Sequence, residues 1–575
     1  MLLPVVALVV SLPLSCGRAT QIPFSDVPLE AYSDSLGWAN LGVKPNANGT
    51  EHLIFDTVNS LLQHWPNTRY RNGHNVVPGI VPVGTLLYHG RENSSLSAIP
   101  DWTATDPEHS FPFCGSPPLM LVDGTVDGTA GCWQLTLVTT RPLKVLYLDG
   151  SSAANMQSGT LDVQDLLLWG KVSPERWLNE RERINGLCEW GKDMGIDGYV
   201  RMEMDFEIML CDFHNGVDLL SADFLSEWSR PLAPFWPASD QSALDSYTSE
   251  MHRPSSDKLR TSMVRRFETI RAGSWHNRFP GETRVTLDLT RLVSFYDTAL
   301  VPSLTAHRVS TERWDHRLHN ISSEDLAAVT ARLHAVLAPG NDERGSGIDW
   351  QTLFRVVVDR YGDRLEMLEY LLNTTMPANA AERAQIIQMQ LRVMITPYIL
   401  HAVRPGPHSP PDDDGWAAPV WRGCATRHTA HIHASAEMTG LLTPSEHVLL
   451  RALEGTNREI CRVITRMWAA GVRAGFDVLI SPHEDSETET SLEEAAVSRV
   501  LDQWRADAHT LLSWLDWSVW VKCRPACTFE ETCYLPTWPW FLKNIRDEDP
   551  EDDSEYSWKR PQPRCIRQFE PYSRF

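Results

Sequence analysis

Three carboxylates, Glu203, Asp205 and Glu207, alternate with apolar residues in the middle of the chain. In an extended chain, alternate side chains point to the same face, so these three would line one side of a strand. Ionised carboxylates at this spacing raise one another's pKa, so the row is either fully solvated or serves chemistry that needs carboxylates. That chemistry is general acid–base catalysis or the stabilisation of a positively charged transition state.

Two strands upstream carry residues that such a site could use. The apolar run Val81–Tyr88 predicts a strand that ends at His89 and Gly90. A second, shorter strand is predicted at Trp102–Ala104.

Helices and further strands must position these residues. Asp106, a natural N-cap with proline after it, predicts a helix over Pro107–Phe113. The run Ser173–Met194 predicts a longer helix, and a strand at Tyr199–Met204 and an extended run at Phe206–Cys211 follow it. Glu207 would then lie near the start of a strand.

In order, spacing and local structure, these segments resemble the ADP-ribosyltransferase fold, in the branch whose signature is His-Tyr-Glu. That branch has a strand ending in His-Gly, a short strand and helix of the form F-A-x(5)-S-x-x-Y, and a strand that starts with Glu. The resemblance covers about residues 78–225, and the chain as a whole resembles secreted proteins of fungal type. It implies an α+β fold, in which an ADP-ribosyltransferase-like split β-sheet domain precedes a mostly α-helical domain and a Cys-containing tail.

The resemblance implies NAD-binding roles for four residues. His89 would bond a ribose hydroxyl of NAD, and Gly90 would hold the nicotinamide amide through its backbone. Phe113 stands where the family has the tyrosine that stacks on nicotinamide, so it keeps the ring and lacks the hydroxyl. Ser110 matches a small polar position beside it. NAD is the implied co-substrate, with an unknown protein or small molecule as the acceptor.

The same resemblance places catalysis on Glu207, with Asp205 beside it. Glu207 would bond the 2′-hydroxyl of the nicotinamide ribose, where a carboxylate stabilises the oxocarbenium-like state formed as the C–N bond breaks. Asp205 stands where some members place a residue that orients the acceptor. The implied activity is secreted, NAD-dependent ADP-ribosyl transfer or NAD glycohydrolysis.

Two alternatives stay open. Glu203, Asp205 and Glu207 also resemble the E-x-D-x-E strand of laminarinase-like glycoside hydrolases, in which alternating carboxylates supply a nucleophile and an acid. That fold is an all-β jelly roll, whereas the segment just upstream is predicted to be helical. The other alternative is a non-catalytic, secreted, disulfide-stabilised α+β protein that binds a partner.

Composition limits the partners of the 575-residue chain. The net charge of −22 makes nucleic acid or an anionic membrane surface an unsuitable partner. The 22 tryptophans are numerous, and any that are exposed would suggest contacts with sugars or protein partners. Beyond the first residues no apolar run is long enough to span a bilayer, so no transmembrane helix is predicted.

The N-terminus and the cysteines predict a secreted protein. Residues 1–19 resemble a signal peptide, with an apolar run and small residues before Thr20, although Lys and Arg are missing from its start. Ten cysteines remain after Cys16, an even number that suits disulfides in an oxidising compartment. Four sequons agree with secretion and predict glycosylation. They are Asn48, Asn93, Asn320 and Asn373.

The chain divides into predicted regions by its patterning. An extension over residues 20–77 precedes the α+β domain at 78–300, an α-helical domain at 301–520 and an acidic tail with cysteines at 521–575. Apolar residues recur at three-to-four spacing in the helical region, and Thr443 to Glu446 form a capping box with proline at the first helical position. The predicted helices there are Ser323–Leu337, Trp350–Leu372, Ala380–Val403, Thr443–Ala474 and Ser491–Val521.

Two clusters suggest metal binding more weakly. On a strand, His431 and His433 of the sequence HTAHIH, which begins at His428, would share a face, but a structural or surface role is favoured. The tail cysteines lack a C-x-x-C spacing, so disulfides are favoured over zinc. These cysteines are Cys523, Cys527, Cys533 and Cys565.

Overall fold

The structure of the chain is a computed structural model. It describes residues 40–115, 131–227, 267–338, 345–406, 414–477, 479, 494–536 and 560–569. The predicted signal peptide, residues 1–19, and the acidic run Asp547–Glu555 lie outside the described residues.

A large mixed sheet forms the first half of the described chain. Its strands follow one another in the order β10-β1-β5-β6-β7-β3-β2-β4-β8, with β9 paired to β1, and only β5 and β6 are parallel neighbours among them. The strands are β1 (Asn75–Val81), β2 (Leu86–Arg91), β3 (Asp101–Ala104), β4 (Gly131–Thr139), β5 (Leu143–Leu148), β6 (Gly198–Met202), β7 (Phe206–Leu210), β8 (Val217–Glu227), β9 (Thr286–Leu287) and β10 (Val293–Ser294).

The central strands are buried on both faces, which explains their nearly continuous apolar character. One face, which includes Val200 and Ile208, packs on the long helices of the second half and is called the bundle face here. The opposite face, which includes Tyr199 and Met209, packs on the helices that connect β5 to β6 and is called the crossover face. Parallel neighbours need such a helical connection.

The described helices fall into two groups, one before and one after residue 300, and the longest belong to the second group. Those before residue 300 are α1 (Glu51–Asn59), α2 (His64–Arg69), α3 (Pro107–Ser110), α4 (Asp162–Trp169) and α5 (Glu180–Gly191), with a further helical segment at residues 267–274. Those after it are α6 (Thr305–Ser310), α7 (Ser323–Leu337), α8 (Trp350–Asn373), α9 (Ala380–Ile395), α10 (Ala418–Thr426), α11 (Ala430–Ala434), α12 (Ala436–Leu441), α13 (Pro444–Arg473) and α14 (Glu494–Leu515).

The longest helix, α13, lies in the middle of the helical half. Its start is set by the predicted capping box, in which the Thr443 hydroxyl accepts from the Glu446 N–H and the Glu446 carboxylate accepts from the Thr443 N–H. One continuous apolar core joins α13 to α8, α9, α14 and the bundle face of the sheet. The protein therefore has the predicted α+β fold, with a sheet followed by helices.

The cysteines form disulfides, as predicted, and the tail adds a small two-stranded sheet of β11 (Glu531–Tyr534) and β12 (Arg564–Arg567). All ten cysteines after Cys16 are paired. The pairs are Cys114–Cys132, Cys188–Cys211, Cys424–Cys461, Cys523–Cys533 and Cys527–Cys565.

One predicted strand is wrong. Val81–Tyr88 is not a single element, because β1 ends at Val81 and a turn with Gly84 at φ +82° leads into β2. His89 and Gly90 therefore lie inside β2 instead of at its end. None of the helices in the described ranges combines the length and the apolar character needed to cross a bilayer.

Two disulfides that close loops of similar length, one in the helical half and one in the tail, allow their contributions to the free energy of unfolding to be compared. Cys424–Cys461 and Cys527–Cys565 close separations of 37 and 38 residues, so chain constraint alone gives each about 3–4 kcal/mol. We expect the Cys424→Ala/Cys461→Ala variant to lose at least this much free energy of unfolding in urea, because both half-cystines are fully buried. The Cys527→Ala/Cys565→Ala variant should leave the main transition nearly unchanged, since the tail sheet can open separately. Equal losses would contradict this account.

Candidate functional site

Glu203 and Asp205 do not share a strand with Glu207. β6 ends at Met202 and β7 begins at its partner Phe206, so residues 203–205 form the turn of a hairpin. The Glu203 N–H donates to the Asp205 carbonyl across this turn at 3.1 Å. The predicted row of three carboxylates on one strand face is therefore wrong, because the chain reverses in the middle of the pattern.

Glu207 is held by a buried arginine on the neighbouring strand. Arg201 lies opposite it on β6 and donates to its Oε1 from Nε at 2.9 Å and from Nη2 at 2.7 Å. The same guanidinium donates to Glu180 on α5 and, at 3.0 Å, to the Gln164 side chain on α4. All four side chains are buried, and they are called the Arg201 cluster here.

The charged groups of the Arg201 cluster neutralise one another. Burial raises the pKa of Glu207, and the nearby Arg201 opposes that shift. Although burial would raise it, Arg201 and Arg183 hold the pKa of Glu180 below its ordinary value. Burial likewise opposes the charge on Arg201, and the two carboxylates raise its pKa. Glu207 therefore serves as a counter-ion of Arg201 and presents no free carboxylate to a substrate.

His89 lies on the other face of the sheet from Glu207. Tyr88 pairs with Ala104, which pairs with Glu207, so these three share the crossover face and His89 points to the bundle face. The His89 ring lies 5.0 Å from the Phe213 ring, which belongs to the apolar core of that face. Burial lowers the pKa of His89 and favours its neutral form.

The other residues that are predicted to contact NAD contact other parts of the protein instead. A Cβ on Gly90 would lie 2.1 Å from the Ser110 carbonyl oxygen, so α3 covers the side of Gly90 that lacks a side chain. The Ser110 hydroxyl accepts from Gln134 at 2.9 Å and donates to the Pro107 carbonyl at 2.8 Å. Phe113 contacts protein as well, because its ring is parallel to that of Trp102 with centroids 6.4 Å apart.

These residues do not fit NAD in the arrangement that the resemblance implies. His89 and Glu207 face opposite sides of the sheet, Glu207 is paired with Arg201, and the approach to Gly90 is filled. We therefore derive no catalytic step through NAD from this geometry.

A second charged cluster lies where β3 ends and β7 begins. Continuing the β3–β7 register places Asp106 opposite Asp205, and His276 approaches both from the segment after residues 267–274. His276 Nε2 is 3.0 Å from Asp106 Oδ2, 3.9 Å from Asp205 Oδ1 and 3.5 Å from Glu282 Oε2. Arg284 donates to Asp106 and Glu282. These five residues are called the Asp106 cluster.

Two aspartates of the Asp106 cluster have opposite protonation tendencies. Burial raises the pKa of Asp205 well above its ordinary value, with the Asp106 charge adding to the effect. Burial would also raise the pKa of Asp106, but hydrogen bonds from His276 and Arg284 lower it. Burial would lower the pKa of His276, yet the neighbouring carboxylates raise it to about 8. Asp106 and His276 thus favour their charged forms, whereas Asp205 favours its protonated form.

A cleft lies beside the Asp106 cluster, and the two share a wall. Met204 and Asn277, the chain neighbours of Asp205 and His276, line a small cleft between α2, residues 267–274 and the tail sheet. Aromatic and uncharged polar side chains provide most of its remaining surface. They are His64, Trp65, Phe267, Ile270, Arg271, Ser274, Thr532, Cys533, Tyr534 and Gln568.

Two strongly exposed aromatic residues adjoin residues that line this cleft. Trp275, between the lining residues Ser274 and Asn277, is 79% exposed. Phe529 is 99% exposed, and its carbonyl accepts from the lining residue Gln568 at 3.1 Å. Exposed large aromatic side chains beside a concave surface are typical of recognition sites.

The amino-acid sequence alone does not indicate the roles of most of these residues. Asp106 was expected to cap a helix, but its side chain makes no capping bond and pairs with His276 and Arg284 instead. Its place opposite Asp205 becomes visible only when β3 and β7 are known to be neighbours. Trp275 and His276 lie in no local motif, so their sequence carries no comparable signal.

The predicted histidine strand is a helix. Residues 430–434 form α11, so His431 and His433 do not share a strand face. His433 Nε2 is 2.6 Å from Glu454 Oε1, and His431 is exposed. This arrangement agrees with the favoured surface or structural role.

Comparison with known proteins finds relatives in yeast. The model of the family described as "YPL277C N-terminal domain" matches residues 127–235. "Uncharacterized protein YOR389W" of Saccharomyces cerevisiae is 25% identical over 545 residues, covering 84% of this chain and 81% of the relative. "Uncharacterized protein YPL277C" of the same organism is 29% identical over 381 residues, covering 56% of this chain and 75% of the relative. No solved structure matches the chain.

The Arg201 cluster predicts that Glu207 stabilises the fold. We expect Glu207→Gln to lower the free energy of unfolding by roughly 1–3 kcal/mol, because Arg201 loses one of its two buried counter-ions. Glu189→Gln is the control, since Glu189 is exposed at the surface of α5 and should have almost no effect. Urea unfolding measures both, and calorimetry with millimolar NAD on the same samples should show no binding. Unchanged stability together with NAD binding would contradict this assignment.

Proposed function

We propose that the protein is a secreted, disulfide-bonded binding protein that recognises a neutral carbohydrate in the cleft beside Trp275. The observation that carries this proposal is the 79% exposed side chain of Trp275, which lies in the chain between the cleft-lining residues Ser274 and Asn277. The other tryptophans of the described ranges are buried or half-buried, so this exposure is a local exception. An indole face stacks on the C–H face of a sugar ring and removes apolar surface of both from water.

The chemistry of the cleft supports an uncharged, hydroxyl-rich ligand. Ser274, Asn277 and Gln568 supply hydroxyl and amide groups that can both donate and accept hydrogen bonds. Burial lowers the pKa of His64 to about 4, so this lining residue is neutral at ordinary pH. Arg271 is the one lining residue with a full charge in the described part of the cleft.

Secretion is supported by the disulfides and by the sequons. Five disulfides suit an oxidising compartment. Asn48, Asn320 and Asn373 are exposed, which glycosylation requires, and Asn93 is half-buried.

The enzymatic alternatives have weaker support. ADP-ribosyl transfer remains a prediction from resemblance, because His89 and Glu207 lie on opposite sheet faces. Glycoside hydrolysis through Glu203, Asp205 and Glu207 needs carboxylates that converge on one substrate, whereas the hairpin turn separates Asp205 from Glu207. The binding protein is therefore the function that the geometry supports best.

Trp275→Ala tests this proposal. We expect the full-length protein to bind laminarihexaose or chitohexaose in isothermal titration calorimetry. The variant should bind at least about tenfold more weakly, equivalent to about 1.4 kcal/mol, because the stacking surface is lost. Tyr370→Ala is the matched control, since Tyr370 is 65% exposed on α8, an element that contributes no residue to the cleft.

Two outcomes would contradict the carbohydrate proposal. One is no binding of either oligosaccharide at millimolar concentration by a sample that circular dichroism shows to be folded. The other is equal affinity in the wild type and Trp275→Ala, which would place binding elsewhere on the protein.

A further inference from the structure

Strand pairing brings two aspartates and a histidine together at one end of the sheet. Ala104 pairs with Glu207, so Asp106 and Asp205 lie opposite each other just beyond the paired residues. His276 reaches them because the preceding helical segment packs closely on the hairpin turn. A Cβ on Gly273 would lie 2.4 Å from the Met204 carbonyl oxygen, so only glycine permits this approach.

The three side chains have the spacing of metal ligands. One carboxylate oxygen each from Asp106 and Asp205 and one ring nitrogen of His276 all lie within 4.8 Å of one another. Ligand atoms around an ion bound at about 2.1 Å are about 3–4 Å apart, so modest side-chain adjustment would complete such a site. Glu282 Oε2, at 3.5 Å from His276 Nε2, lies close enough to add a fourth ligand.

Asp205 supplies an independent indication of a ligand. Its side chain is fully buried, and its Oδ1 accepts from the Phe206 N–H at 2.7 Å. Its Oδ2 has no hydrogen-bond partner among the described residues, and a buried polar atom without a partner is costly. An ion bound through this oxygen would remove this cost.

His276 is oriented as a metal-binding histidine. Its Nδ1 lies 3.3 Å from the Gly281 carbonyl oxygen, so Nδ1–H can donate there. A bound ion would displace the proton that Nε2 shares with Asp106 and would take the Nε2 lone pair. A backbone carbonyl on the second ring nitrogen is the usual way in which proteins fix the tautomer of a ligating histidine.

We propose that Asp106, Asp205 and His276 form a binding site for one divalent first-row transition-metal ion. Two carboxylates and one imidazole suit Zn²⁺ or Mn²⁺. They suit Ca²⁺ poorly, because it takes six or more oxygen ligands. This site is independent of the carbohydrate proposal, although an ion there would lie behind the wall of the same cleft.

The Arg284 guanidinium would compete with a bound ion for Asp106 and His276. Its Nη2 lies 2.9 Å from Asp106 Oδ2 and 3.2 Å from His276 Nε2, so it partly neutralises the ligands without an ion. Its Nε donates to Glu282 Oε1 at 2.7 Å, and this bond can persist when an ion takes Asp106. Removing the guanidinium charge should therefore strengthen cation binding.

The other groups of potential ligands are already engaged. The tail sulfurs Cys523, Cys527 and Cys565 belong to disulfides and cannot supply thiolates. His433 pairs with Glu454 at the surface of the helical half. This pair is a useful comparison, because it joins a histidine to one carboxylate without a third ligand.

Calorimetry on the full-length, chelator-treated protein tests the proposal. Titration with ZnCl₂ and with MnCl₂ should show binding of one ion per chain for at least one of them, and a raised thermal midpoint. CaCl₂ should bind much more weakly. Asp205→Asn keeps the size of the side chain but cannot ionise to supply a carboxylate ligand, and it should weaken binding at least about tenfold. Arg284→Gln should tighten binding, and His433→Gln should leave it unchanged.

Three results would overturn the metal site. They are no saturable binding of either ion by folded wild-type protein, affinity that Asp205→Asn leaves unchanged, and binding that is lost in His433→Gln. Circular dichroism verifies the fold of each variant. If Asp205→Asn does not fold, His276→Gln and Arg284→Gln decide the question, because the proposal requires weaker binding in the first and tighter binding in the second.

Discussion

The buried charge of Arg201 constrains the middle of the sheet. Its guanidinium needs both Glu207 on β7 and Glu180 on α5, because an arginine buried without counter-ions is strongly destabilising. These contacts fix the register of the β6–β7 hairpin and the position of the crossover helix against it. A second buried pair, Arg183 with Asp165 at 2.6 Å, joins α5 to α4. The charges are used to hold elements together, which leaves them unavailable for chemistry.

The fixed register has consequences at the end of the sheet. With β7 held against β6 and β3, Asp205 falls in the hairpin turn and Asp106 falls opposite it. The segment 267–277 then closes over this turn and brings His276 to the aspartates and Trp275 to solvent. The tail sheet completes the cleft from the other side. Groups suited to binding therefore gather where strands end and connecting segments meet.

Local sequence patterns predicted the long helices after residue 320 better than the site. The α-helix within the predicted Ser173–Met194 begins only at Glu180, and the helix predicted over Ala380–Val403 ends at Ile395. The capping box at Thr443 and the three-to-four spacing of α7 and α8 depend on nearby residues, so a single sequence contains the needed information. The alternation of carboxylates at 203–207 is compatible with one strand and with a hairpin. The chain forms the hairpin, in which Arg201 lies opposite Glu207. His276 is 170 residues from Asp106. No local pattern predicts such a contact, because it depends on how distant segments pack.

Hydrogen–deuterium exchange of the full-length protein, measured alone and with laminarihexaose, MnCl₂ or NAD, tests most directly whether function lies at the end of the sheet. This account predicts that laminarihexaose or MnCl₂ slows exchange in peptides covering residues 64–65, 203–206 and 267–277, with no change on adding NAD. Slower exchange of residues 86–91 and 110–113 on adding NAD, with residues 267–277 unaffected by any addition, would contradict this prediction and would support the NAD site that includes Glu207.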